Sequence, residues 1–139
     1  MTTRRESYVE SLMQALSGSA ELQSLGVQVE RSVFEAVSSS EPRVLVVHRG
    51  RDVPTTDIGV TARECIFNLT AVVRDAAPDR AADDIFELAH PIVMAFDAPG
   101  LMGIVEGPTE EPSVADAEGG IGVVTIQYLF QYQTPTEAL

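Results

Sequence analysis

TARECIFNLTAVVRDAAPDRAADDIFELAHPIVMAFDAPGLMGIV, residues 61–105, contains two successive patterns of apolar residues. Over residues 65–73 every second residue is apolar, which predicts a strand with one apolar face. Over residues 81–96 the apolar residues recur at intervals of three and four, which predicts an amphipathic helix. An Ala-Pro-Gly sequence ends the helix at residues 98–100, and a further apolar strand is expected at 101–105. The segment therefore predicts a strand, a helix and a second strand.

The flanking segments predict the rest of a single α+β domain over residues 1–139. Apolar spacing predicts a helix at 4–16, and alternation or β-branched runs predict strands at 27–34, 44–47 and 122–132. Polar residues with Gly and Pro predict two long loops, at 48–60 and 107–120. Because successive strands with short connections pair antiparallel, we expect a mostly antiparallel sheet of about four to five strands, with two main helices packed on one face.

The composition and charge exclude several classes of protein. With 139 residues and 45% hydrophobic residues, the chain is long enough and apolar enough to fold as one globular domain. Its net charge is −12, and its nine basic residues are all arginine, which argues against a surface that binds nucleic acid. No apolar run is long enough to cross a bilayer, and the N-terminus lacks the apolar stretch of a secretory signal. Synthesis in the cytoplasm is therefore expected.

The residues that could carry chemistry favour structural roles. Glu87 and His90 have the Glu-x-x-His spacing of di-metal carboxylate sites, but such sites need a second copy of the motif. Cys65 is the only cysteine and lies on the apolar face of a predicted strand, which predicts a buried structural thiol. His48 stands alone at the end of a β-branched run, where a hydrogen-bonded structural histidine is expected. The sequence predicts no catalytic, cofactor-binding or metal site, and no enzyme activity.

Four stretches together resemble a known family. They are the strand at 66–74, the helix at 81–96, the Leu-Met-Gly-Ile-Val strand at 101–105 and the closing strand with its Tyr-x-Thr end at 124–134. In this order, with an acidic loop before the last strand, they resemble the tail terminator (tail completion) proteins of long-tailed bacteriophages, which include the minor tail protein U type.

The resemblance implies a structural virion protein rather than an enzyme. Family members form a ring, usually of six subunits, on the head-proximal end of the tail tube. The ring stops tube polymerisation and then presents a docking surface for the head or neck. The implied partners are further copies of the chain, the tail tube protein, a head-completion or connector protein and, in a contractile tail, the sheath. DNA would pass through the ring without specific binding, no membrane or cofactor would be involved, and assembly would take place in the host cytoplasm.

The two predicted loops are the candidate contacts to these partners, unless they are surface loops without one. Their charged residues are Arg49, Arg51, Asp52, Asp57, Glu110, Glu111, Asp116 and Glu118. A lumen lined by carboxylates would repel the DNA backbone and let it slide through the ring. Two alternatives remain open from the sequence. The chain could be a head–tail connector or head-completion protein, or a small-molecule-binding α+β domain with a concave pocket.

Overall fold

A computed structural model of the chain describes residues 2–116 and 120–139. Its elements, in chain order, are α1 (Arg4–Ser17), α2 (Ala20–Ser24), β1 (Gln28–Glu30), α3 (Val33–Ser38), β2 (Arg43–Thr56), β3 (Val60–Arg74), α4 (Pro78–Met94), β4 (Leu101–Thr109), β5 (Ser113–Asp116) and β6 (Ile121–Pro135). The strands form one sheet in the order β1–β2–β3–β6–β4, and β5 also pairs with β6. Only β1 and β2 are parallel among the described pairs. The predicted α+β class is confirmed.

Helices α1 and α4 pack on one face of the sheet, as the apolar spacing predicted. Their inward side chains are fully buried, among them Leu12 in α1 and Ile85 in α4. The facing strand residues are those of the predicted alternation, including Phe67 in β3 and Phe130 in β6, whose rings stack with centroids 3.9 Å apart. Burial of this apolar surface is the main source of stability for the domain.

The opposite face of the sheet is covered only in part. Helix α3 packs there against Val44, Val46, Val72 and Ile121 through its buried Ala36. Beyond α3 the same face is open, and Val105 on it is 48% exposed.

The prediction of a strand over residues 27–34 is wrong beyond its first half. Strand β1 covers only Gln28–Glu30, and helix α3 begins at Val33. The hydroxyl of Ser32 accepts a hydrogen bond from the backbone N–H of Glu35 at 3.3 Å and caps the helix. Ser-x-x-Glu is the sequence of a capping box, so the helix start was encoded locally but hidden by the alternation around it.

The prediction of a long loop over residues 48–60 is also wrong. Strand β2 continues to Thr56 and pairs with β3 up to the partners Thr56 and Thr61, which leaves a tight hairpin. Gly59 completes the turn with φ 77°, a conformation that suits glycine. The predicted loop over 107–120 is partly wrong, because β4 extends to Thr109 and β5 is a sixth strand.

Candidate interaction surface

The hairpin between β2 and β3 forms an exposed arm, which we define as residues 53–60. At its tip the backbone N–H of Ile58 donates to Asp57 Oδ1 at 2.7 Å, which fixes the turn. The Ile58 side chain is 97% exposed, and Val53 and Val60 on the two strands are 44% and 37% exposed. Among the candidate contact residues only Asp57 lies at this tip, and Ile58 is an addition from the structure; the Asp-Ile-Gly sequence was the signal that could have located the turn. The hairpin arm thus presents apolar side chains to solvent.

Asp52, one of the candidate contact residues, lies inside the protein. A register shift between Arg49 and Asp52 in β2 places the Asp52 carboxylate beside α1. Its Oδ2 atom accepts a hydrogen bond from Arg5 Nη1 at 2.8 Å and another from the hydroxyl of Tyr132. The Asp52 side chain is only 7% exposed, and that of Arg5 is 23% exposed. Asp52 therefore joins α1, β2 and β6 and is not a free surface charge.

Arginines surround this part of β2. Arg31 binds the Glu6 carboxylate with both guanidinium Nη atoms, at 2.9 and 2.8 Å, and Arg49 Nε lies 3.4 Å from the same carboxylate. Arg51 is exposed, and no carboxylate among the described residues lies within ion-pair distance of it. Of the two candidate arginines, Arg51 is the one free to meet a partner.

A groove between α4 and β4 collects acidic side chains, and we call it the acidic groove. Its volume is about 460 Å³, and its lining includes Asp83, Glu87, His90 and Glu106. His90 Nδ1 lies 2.6 Å from the hydroxyl of Tyr128, and its Nε2 lies 3.4 Å from Glu106 Oε1. In the described part of the chain no three His, Cys, Asp or Glu side chains are placed to hold a metal ion. The Glu-x-x-His pair therefore belongs to a polar groove and has no metal-site geometry.

The other candidate acidic residues lie around β5. Glu110 and Glu111 are exposed in the connection between β4 and β5, and the Glu110 backbone N–H donates to the Thr125 carbonyl at 2.8 Å. Asp116 is the last residue of β5. Glu118 lies outside the described residues. Glu110 and Glu111 therefore lie on the surface at the β4 end of the sheet, whereas Arg51 lies in β2, near the opposite end of the strand order.

Three titratable side chains that are buried or partly buried, Cys65, Tyr128 and His48, have structural roles. Cys65 is fully buried, as predicted, and burial raises the pKa of its thiol to about 11. Burial also raises the pKa of the Tyr128 hydroxyl to about 12. His48 Nε2 lies 3.0 Å from Thr70 Oγ1, and partial burial lowers the pKa of this imidazole. Each group is stabilised in its neutral form, which suits packing rather than proton transfer at neutral pH.

A second depression offers little that would orient a small molecule. This depression of about 580 Å³ lies beside α2 and β1, and its lining includes Ser17, Val27 and Pro42. Glu41 is the single ionisable side chain in that lining, so convergent charged groups that would orient a polar ligand are missing among the described residues. No helix in the described ranges, 2–116 and 120–139, is long and apolar enough to cross a membrane.

Neither a protein-family model nor a curated protein matches this chain.

Proposed function

We propose that this chain is a structural virion protein that works as a phage tail terminator. In this proposal it forms a homohexameric ring on the head-proximal end of the tail tube, stops tube polymerisation and provides the surface on which the head or neck docks. The observation that carries the proposal is the hairpin arm, whose apolar tip at Ile58 is 97% exposed. A partner that covers this side chain gains free energy, because apolar surface is removed from water.

The shape of the arm supports a role in assembly. Five successive pairs join β2 and β3 here, from Asp52 paired with Cys65 to Thr56 paired with Thr61. The arm is therefore a rigid extension of the sheet rather than a loose loop. A rigid arm loses little conformational entropy when it binds, which favours association. A ring needs such a heterologous contact, in which one surface of a subunit meets a different surface of the next.

The charge distribution supports passage of DNA through the ring without binding. Residues 81–139 contain ten Asp and Glu residues and no Lys or Arg, whereas residues 1–80 contain all nine arginines and eleven acidic residues. A lumen lined by the acidic half would repel DNA phosphates over a Debye length of about 8 Å at physiological salt. Specific DNA binding would instead need clustered cations.

The proposal is tested in the phage that encodes the chain, by electron microscopy of lysates made without the gene. We expect abnormally long tails that carry no heads. Normal-length tails beside full, unjoined heads would move the protein to the neck, as a connector or head-completion protein. Virions of normal form would refute both structural roles and favour a ligand-binding domain. Complementation with Ile58→Ser is expected to fail, whereas Thr55→Ser on the same arm, which removes no large apolar side chain, is expected to restore normal tails.

A further inference from the structure

A β-bulge lies in β2 at the base of the hairpin arm. Arg49 pairs with Phe67, and the next residue of β2 to pair is Asp52, with Cys65. Three steps along β2 therefore match two steps along β3, which makes one residue of β2 extra. An extra residue of this kind bends the strand that carries it and increases its twist. The bulge thus affects the direction in which the arm leaves the sheet.

The bulge also keeps the side chains on its two sides on the same face of the sheet. In a regular strand, residues three positions apart point to opposite faces. Here the Asp52 carboxylate accepts a hydrogen bond from Arg5 of α1 at 2.8 Å. Arg49 Nε lies 3.4 Å from the Glu6 carboxylate on the same helix. Strand β2 is therefore tied to α1 on both sides of the bulge, and the arm begins directly beyond the second of these contacts.

The two residues between these contacts lie on the open face of the sheet. A Cβ added at Gly50 would lie 3.2 Å from Ile66 Cγ2 and 3.3 Å from Asn68 Nδ2. These two residues of β3 point away from α1 and α4, because they alternate with residues of the buried face. Glycine thus suits the close approach of the bulge to β3. Arg51 is exposed, so its deletion removes the extra residue without removing a buried side chain.

The tip of the arm is far enough from the bulge to amplify a small change of direction. From Asp52 to Thr56, β2 advances about 13 Å at about 3.3 Å per residue, and the turn that carries Ile58 lies beyond. A change of about 15° at the bulge therefore moves Ile58 by about 3 Å or more. Apolar side chains are in contact only when heavy atoms lie within about 4.5 Å, so a shift of this size is enough to lose a contact.

We propose that the β-bulge at residues 49–52 is a positioning device, which aims the hairpin arm so that Ile58 meets its partner. Gly50 and Arg51 supply the bend through the extra backbone unit, and the hydrogen bond between Asp52 and Arg5 anchors the base of the arm on α1. The inference rests on the proposed function, because it explains how the residue proposed to contact the partner is held in place.

The test is the distance between two spin labels on the purified chain, measured by pulsed electron paramagnetic resonance. Ile58→Cys places one label on the tip and Asp84→Cys places the other on α4, since both side chains are exposed. Cys65 is fully buried and is not labelled in the folded chain. We expect a narrow distance distribution in this parent chain, and deletion of Arg51 to shift its centre by about 3 Å or more. Arg51→Ala is the matched control, because it removes the same side chain but keeps the extra residue, and it should leave the distance unchanged.

Several results would overturn the proposal. A broad distribution in the parent chain would show a mobile arm, and an unchanged distance after deletion of Arg51 would show that the bulge does not aim it. Urea unfolding checks that the deletion variant folds, and deletion of Gly50, the other residue opposite Ile66, is the second variant. If neither deletion variant folds, the extra residue serves the fold itself and the proposal fails.

Complementation of the phage that lacks the gene tests the link to docking. Deletion of Arg51 is expected to give long, headless tails, whereas Arg51→Ala is expected to restore normal tails. Equal failure of both variants would assign the loss to the Arg51 side chain, and normal tails with a redirected arm would show that direction does not matter; either result overturns the role of the bulge in docking. The proposed function fails separately, through normal virions without the gene, and the label distances still show whether the bulge directs the arm.

Discussion

Replacing Asp52 with alanine tests whether this residue holds the fold together or serves as a surface contact. In the structure its carboxylate accepts hydrogen bonds from Arg5 and from Tyr132. Removing the carboxylate leaves a buried hydroxyl and a partly buried guanidinium without their acceptor. We expect Asp52→Ala to destabilise the domain strongly.

The magnitude follows from burial. Removing one member of a fully buried ion pair costs about 3–5 kcal/mol. The Asp52 side chain is 7% exposed, but the Arg5 side chain is 23% exposed, so water can solvate part of the released guanidinium. We therefore expect about 3 kcal/mol, at the low end of that range. For a domain of this size such a loss lowers Tm by about 10 °C.

The assay is urea unfolding at neutral pH, followed by circular dichroism. Arg51→Ala is the matched control, since Arg51 is an exposed neighbour in the same strand; it is expected to change stability by less than about 0.5 kcal/mol. Asp52→Asn, which can still accept a hydrogen bond, is expected to fall between the two. An Asp52→Ala protein as stable as the Arg51→Ala protein would refute the structural role of this carboxylate.

Three further outcomes are expected. Burial raises the pKa of Cys65 from 9.0 to about 11 and that of Tyr128 from 10.0 to about 12, so both keep their protons when folded. The stability that these neutral groups contribute is complete below their unfolded pKa values and is lost as pH rises through their folded pKa values. The urea midpoint of unfolding should therefore fall between pH 8 and pH 12. A constant midpoint would show that both groups are solvated in the folded protein. Gly122→Ala should destabilise the domain by about 1–3 kcal/mol in thermal unfolding, because its Cβ would overlap Pro78 at the start of α4; an unchanged Tm would contradict that close approach. Ile58→Ser should leave Tm unchanged, because the side chain contacts solvent, and a large loss of Tm would show that the arm packs on the body.

The sequence predicted the parts of the fold whose apolar pattern is strong. The alternation over residues 65–73 became the buried face of β3, and the alternation near the C-terminus became β6. The three- and four-residue spacing became α1 and α4 on one face of the sheet. In each case one side of the element is buried, so the pattern of apolar residues records the geometry directly.

The rest of β2 could not be predicted from its own residues. Its outer half contains arginine, glycine and proline, because its residues other than Asp52 are exposed, and it is a strand only through its pairing with β3. Pairing with β3 thus overrides the low intrinsic strand preference of these residues. Asp52 is a similar case, since its burial depends on Arg5, which is 47 residues away in the chain. The residues of β2 alone therefore did not distinguish Arg51, which is exposed, from Asp52, which is buried.

Among the described residues, the outer edge of β4 and most of the outer edge of β2 have no strand partner, and such edges favour aggregation. A sheet with exposed strands at both ends can grow without limit if copies stack in the wrong geometry, as fibres do. Mutual repulsion between chains of charge −12 slows such encounters. Acid that protonates the carboxylates removes this protection, and high salt weakens it, so both conditions favour precipitation over ordered growth. Storage at low salt and at neutral or mildly alkaline pH should therefore keep the chain dispersed.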